Sequence, residues 1–360
     1  MFKLRNITLS LIALFLISTS RIAIADNASR IVSSRDLKAT TITAVMDSKI
    51  EPGRNAVFCS AFQMAWNVLC NGILKAALEL SDAPEYAKSL NALISGKPLV
   101  SEDAYLAMAG FGKDDIVKKI NEALAKKFGK DAPTVSEKLK PTDILAYAFL
   151  YKNLQFAKEF EGLDTLFFNS GEKSLKVDSF GIRKFEPGKS EHDLLNKQVD
   201  ILYCDDNGKF IIRLASKSPD DEIIISTVKA EATLGESYAA VKKLCDNATV
   251  SKLAKDDKLQ IPKVDFNLLH TFGELIGKPL RNKGFEEYII SKALQSIRFV
   301  LNEKGAILKS EAKIVMTKTA MISGRRFVAN SPFFIFLKNK AAESPYFALY
   351  VDNDELLIKK

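Results

Sequence analysis

Near the carboxyl end, Ala306-Ile-Leu-Lys-Ser-Glu-Ala-Lys-Ile-Val-Met316 alternates between two kinds of residue. Ala306, Leu308, Ser310, Ala312, Ile314 and Met316 are small or apolar, and Lys309, Glu311 and Lys313 between them are charged. A period of two puts the first set on one side of an extended strand and the charges on the other, so one face suits a core and the other water. Ala293 to Leu301 just upstream reads as another strand, and Glu303-Lys304-Gly305 joins the two with a glycine at which the chain can reverse or hinge. Alternation alone fits an ordinary hairpin arm equally well.

At the other end, Lys3 and Arg5 precede an apolar run from Ile7 to Ile17, and Ala23-Ile24-Ala25 supplies the small-x-small pattern of a signal-peptidase site. Residues 1–25 are therefore expected to be a cleaved signal peptide, with the mature chain starting at Asp26. An apolar run of about eleven residues is well short of the ~20 needed to span a bilayer. The expected product is secreted or periplasmic, with no membrane attachment after cleavage.

The formal net charge is +8, but Lys3, Arg5 and Arg21 lie in the leader and the rest is well mixed, which argues against a nucleic-acid partner. With 47% apolar and 27% charged residues, the chain can build a large core. The two histidines and four widely spaced cysteines fit no multi-histidine zinc site or disulfide scaffold, and no metal or cofactor is expected. Cys59 and Cys70 cannot pair if Phe62 to Leu74 is one helix; Cys204 with Cys245, or four buried thiols, both remain open. No Gly-x-Ser-x-Gly elbow is present, His192 sits in a charged stretch read as a solvated loop, and His270 reads as helix surface or core packing, so an enzyme is not expected. The lysines of Ile116 to Phe128 are diluted by acids and read as a solvated face, and no glycosaminoglycan activation is expected.

Ser60 to Lys140 reads mostly as helices, with Phe62, Ala65, Trp66 and Leu69 on one face and Ile116, Ile120, Leu124 and Phe128 on another. Ile144 to Tyr151 is a continuous apolar run of the kind buried on both sides of a sheet. Val199 to Cys204, Lys209 to Ala215 and Ile223 to Val228 read as strands, with a hairpin turn at Asp205-Asp-Asn-Gly208 and a helix at Ser237 to Cys245. No linker or repeat divides the chain, so residues 26–360 are expected to form one α+β domain.

Phe327-Val-Ala-Asn-Ser-Pro-Phe-Phe334 resembles the carboxyl-terminal signature of the serpin family, and Ser344 to Asn353 is similar to its closing strand. Ser291-Lys292-Ala293 leading to Asn302-Glu-Lys-Gly305 resembles the strand and hinge before the family's reactive-centre loop. Fainter landmarks follow in order: Asn55 to Ser60, Ile120-Asn121-Glu122 with Gly129-Lys130, Ile144 to Lys152, Ile261-Pro262-Lys263-Val264, and Leu275-Ile276-Gly277. Between the first helix and Ile120 the chain is shorter than the family requires, so a helix or an edge strand is expected to be missing.

The resemblance implies an α+β fold with a large central sheet, further sheets and a helical amino-terminal half. It implies a monomeric suicide inhibitor of serine or cysteine proteases, whose loop, here about 305–326, is cleaved and then inserts into the central sheet. Glu303, Lys304, Gly305 and Ala306 would form the hinge, and Leu308, Ser310, Ala312, Ile314 and Met316 the inward face of the inserted strand. About twelve residues at ~3.3 Å each would carry the cut end about 40 Å. The reactive bond falls among Lys318, Thr319, Ala320, Met321 and Ile322, where Lys318 suits a trypsin-like and Met321 a chymotrypsin- or elastase-like protease. Arg325 and Arg326 read as solvated charges.

The family's polar sheet-opening cluster maps onto Cys59 and Phe62, or with a one-residue slip Ser60 and Gln63, together with Tyr147 and Gln295; its usual tryptophan maps onto Phe156. These departures, and the bulky or charged Leu308, Lys309 and Glu311, would slow insertion, and slow insertion turns an inhibitor into a substrate. A non-inhibitory serpin-like binding or structural protein is therefore the alternative reading.

Overall fold

The computed structural model describes residues 31–306 and 324–360. The leader, the mature start at Asp26, Leu308, Ser310, Ala312, Ile314 and Met316, and the window Lys318, Thr319, Ala320, Met321 and Ile322 lie outside the described residues.

The first half carries β1 (Val32–Ser33), β2 (Thr40–Thr43), β3 (Asn55–Cys59), α1 (Ala61–Val68), α2 (Glu85–Ala92), β4 (Tyr105–Phe111), α3 (Ile116–Phe128), β5 (Ile144–Leu150) and β6 (Leu154–Gln155). The middle holds β7 (Glu161–Ser170), β8 (Lys173–Ile182), α4 (Ser190–Lys197), β9 (Val199–Cys204), β10 (Phe210–Ala215), β11 (Asp221–Ser226) and α5 (Leu234–Asp246). There follow β12 (Lys258–Pro262), β13 (Val264–Thr271), β14 (Leu294–Leu301), β15 (Gly305–Ala306), β16 (Arg326–Val328), β17 (Phe333–Asn339) and β18 (Phe347–Val351). The architecture is α+β.

The largest sheet runs β2-β3-β18-β17-β11-β10-β9, and its central strands are buried on both faces. On β17, Phe333, Ile335 and Leu337 enter the main core, whereas Phe334 and Phe336 pack with Leu234, Tyr238 and Val241 of α5. This is why Phe333-Phe-Ile-Phe-Leu337 has no polar residue: each side of the strand has its own apolar neighbour. Asn55 fixes the meeting of β3 with the carboxyl end: its Oδ1 accepts from the amides of Asp352 and Asn353, and its Nδ2 donates to Thr40 Oγ1 and Asn353 Oδ1. A sheet ordered β16-β12-β8-β7 closes the other side of the core.

Several sequence expectations need correction. The stretch from Ser60 to Lys140 is not mainly helical: α1 passes into a wider π turn over Leu69–Leu74, and Tyr105-Leu-Ala-Met-Ala-Gly-Phe111 is strand β4. Its long apolar run has no period to separate helix from strand, and pairing with β5 decides it. β5 is half-buried along its whole length: Leu145, Tyr147 and Phe149 pack with the α3 cluster and Ala148 and Leu150 with the main core, but among the described residues only one of its edges is paired. His192 is not on a loop; it lies buried on α4, where its Nδ1 accepts from the Glu186 amide and its Nε2 faces Glu161 at 3.3 Å. His270 is on β13, 2.7 Å from Ser34 Oγ, rather than on a helix.

Cys204 and Cys245 do not pair. All four thiols are free, and only Cys59 and Cys70 are buried, so four buried thiols is also wrong. Burial lifts the thiols of Cys59, Cys70 and Cys245 to about 11, which leaves them protonated and unreactive near neutrality. Arg325 is not simply solvated: its guanidinium lies 2.7 Å from the buried Asp257 carboxylate.

Candidate functional site: a seam between two half-sheets

Five strands that could form one sheet stand instead as two groups. β4 and β5 pair antiparallel over seven residues, Tyr105↔Leu150 to Phe111↔Ile144. β13 and β14 pair antiparallel from Val264↔Leu301 to Thr271↔Leu294, with β1 parallel on the far side of β13. Among the described residues β5 bonds no strand but β4, and β14 none but β13. Helix α1 packs against β4, β5 and β14 together, so it lies beneath both halves.

One end of this seam is closed by the hinge. The chain leaving β14 turns at once: the Gly305 amide donates to Asn302 O at 3.1 Å, and the Lys304 amide to Asn302 Oδ1 at 2.9 Å. β15 then runs antiparallel to β6, which follows β5 after three residues, with Gly305 opposite Gln155 and Ala306 opposite Leu154. The Phe156 amide donates to Lys304 O at 3.0 Å and the Phe160 amide to Glu303 O at 2.9 Å. Glu303 also meets Lys263 at 2.6 Å, with both side chains largely buried. Ahead of β5 and β14, at the other end, Glu137 and Lys292 pair at 2.6 Å on an exposed surface.

Gly305 has no substitute in this geometry. Its φ is 123°, and a Cβ would lie 2.3 Å from Leu154 O and 2.8 Å from Gln155 Cα. Gly305→Val should therefore break β15 from β6 and destabilise the fold by roughly 3 kcal/mol. Denaturant melts together with faster exchange of the Phe156 amide would show it, and a variant of normal stability with that amide protected would contradict it.

Of the sheet-opening candidates, three come together. Gln295 on β14 is 4% exposed and its Nε2 donates to Cys59 O at 2.8 Å, immediately before Ser60. Gln295 Oε1 and Ser60 Oγ are buried without a hydrogen-bond partner among the described residues. Phe62 instead packs on Phe272, ring centroids 4.0 Å apart, and Gln63 bonds Asn67 and Leu90 O. Tyr147 lies against α3 with Ile116, Ile120 and Leu124, where burial raises its phenol. Phe156, at 2% exposure, packs edge-on to Phe160 beneath the hinge. Lys263, Leu154 and Gln155 were not singled out as hinge partners from the sequence; Pro262-Lys263 stood out only as a landmark.

A cavity of about 380 Å³ lies near the same end, lined by Asp103, Lys127, Lys152, Ser218 and Asp221 among others. Lys152 follows β5 and pairs with Asp221 at 2.8 Å, tying this half-sheet to the largest sheet. No group of three or more potential metal ligands occurs among the described residues.

No family model and no curated protein matches the chain. Solved structures do. The chain is similar to Serpin48 of the insect Tenebrio molitor, with a TM-score of 0.44 and 13% identity over 82% of this chain and 96% of that one. Human thyroxine-binding globulin in complex with thyroxine gives 0.49 and 12% over 83% and 92%, and a serpin from the trematode Schistosoma haematobium gives 0.49 and 13% over 84% and 94%. The solved structures it resembles are serpins.

Proposed function

We propose that this chain is an exported, serpin-like suicide inhibitor of serine or cysteine proteases, a single domain over residues 26–360 that is not itself an enzyme. The observation that carries the reading is the seam. Two strand edges that are unpaired among the described residues sit over one helix, and the chain that leads into the alternating segment is already folded back at the mouth between them. Ala306 stands opposite the buried Leu154, so a strand continuing from β15 into the seam would turn Leu308, Ser310, Ala312, Ile314 and Met316 toward the core and Lys309, Glu311 and Lys313 toward water. Cleavage within Lys318 to Ile322 would release that strand while the protease is still joined to the loop as an acyl-enzyme. The ester persists if insertion outruns its hydrolysis.

One feature favours the non-inhibitory reading. The buried Lys263–Glu303 pair holds the hinge, and breaking it during insertion would leave charge stranded in a poorly hydrated site.

Incubation with trypsin-, chymotrypsin- and elastase-like proteases, followed by denaturing electrophoresis, separates the two readings. A complex that survives boiling and collapses under mild alkali, as an ester must, is the expected result. Clean cleavage between residues 307 and 323 with no complex against any of the three overturns inhibition.

A further inference from the structure

Three neighbouring strands put like charges side by side where the reactive-loop segment rejoins the fold. β16 is the edge strand of the β16-β12-β8-β7 sheet and starts just after residue 323. Its Arg326 stands directly opposite Lys258 of β12, in the register Lys258↔Arg326, Leu259↔Phe327. On the other side of β12, Leu259 faces Ile182, so Arg183 is the next neighbour of Lys258. The inward row, Ile182, Leu259 and Phe327, is wholly buried. By the alternation of strands the outward row is Arg183, Lys258 and Arg326.

Like charges directly opposite across a sheet are destabilising, and this row sets three in line. The acids next to Lys258 and Arg326 do not relieve that pair. Asp256 is engaged by Lys184 at 3.0 Å and Asp257 by Arg325 at 2.7 Å, and neither Lys258 nor Arg326 has a carboxylate partner among the described residues. Lys258 is half-buried, and its ammonium is held below the usual value by that burial and by the guanidiniums of Arg326 and Arg183. A row of this kind lowers its energy when an anion arrives from outside, and guanidinium forks suit a planar carboxylate.

We propose that Arg183, Lys258 and Arg326 form a docking site for a carboxylate-rich protein surface, namely that of the protease engaging the loop. The occupant follows from position and charge: whatever grips the loop near its exit lies over β16 and meets this cationic row. The proposal rests on the inhibitor reading for the identity of the partner and on the cross-strand row for the site.

The test uses a fluorescein-labelled polyglutamate peptide and the full mature chain, with binding read by polarisation at low and at physiological ionic strength. The wild type should bind with an affinity that falls as salt rises, and Lys258→Gln/Arg326→Gln should bind about tenfold more weakly. That variant should melt at or above the wild-type temperature, because a repulsion has been removed. Lys126→Gln/Lys130→Gln on and beyond α3 removes equal charge far from the row and should bind like the wild type. Equal loss in both variants, no loss in the first, or a lowered melting temperature that accounts for its loss overturns the site. So does a sulfated polysaccharide that depends on Lys258 and Arg326 at physiological salt while the peptide does not. Peptide binding needs no cleavage, so a chain that binds it through these residues but traps no protease overturns the inhibitor reading alone.

Discussion

A single cut between residues 307 and 323 is expected to raise the unfolding temperature of the protein by roughly 10 °C or more. At ~2–4 °C per kcal/mol for a chain of this size, that corresponds to about 4 kcal/mol of added stability. Cutting a surface loop ordinarily leaves stability unchanged or lowers it, since it adds freedom to the unfolded chain and removes none from it. The opposite sign is expected here because the cut frees residues 306–316 to pair with β5 on one side and β14 on the other, two edges that bond nothing else across the seam among the described residues. Insertion would satisfy both rows of backbone donors and acceptors and bury Leu308, Ile314 and Met316. Calorimetry of the intact and nicked forms, with the cut located by mass spectrometry, decides the matter. An unchanged or lowered transition would mean that the seam does not accept the strand.

Lys152→Met should cost about 3–5 kcal/mol, among the largest losses available to one substitution outside the core. The Asp221 side chain is fully buried at the start of β11; its Oδ2 accepts from Lys152 and from Ser218 Oγ at 2.6 Å, and Lys152 is itself only 12% exposed. Removing the ammonium strands a buried carboxylate, whereas Lys152→Met/Asp221→Asn removes both charges and should recover most of the loss. A denaturant-melt double-mutant cycle provides the check. If the double variant is no better than the single one, the pair acts through packing rather than charge. Because Lys152 follows β5, the single variant should also loosen the β4–β5 half-sheet, visible as faster exchange of the Tyr147 amide.

Much of this fold can be read from local pattern. Asp205 to Gly208 is a turn because Asp205 Oδ1 accepts from the amides of Asn207 and Lys209 while Gly208 takes a positive φ of 75°, and residue types alone announce both. The strands at Val199 and Ile223, the α3 face and the glycine of the hinge are legible for the same reason. β4 was not: Tyr105 to Phe111 has no period, and only its pairing with β5 makes it a strand. His192 and Arg325 were misjudged because their charged neighbours in sequence are not their neighbours in space; Glu161 and Asp257 are. The seam itself is a missing pairing between strands some 150 residues apart, and no local signal reports a bond that is not made. For the same reason Gln295 could be named as a candidate, whereas its partner, the backbone carbonyl of Cys59, could not.

The Lys263 side chain sits at the joint between β12 and β13 and holds Glu303, while β12 carries β16 along its edge. Both ends of the segment 307–323 are thus pegged to one short stretch of chain, Lys258 to Lys263, whose five steps at ~3.3 Å each set the two pegs only about 17 Å apart. Extended, that segment could reach about 60 Å. Joining two pegs that close needs far fewer than the seventeen residues of 307–323, so several should be deletable before either peg comes under tension.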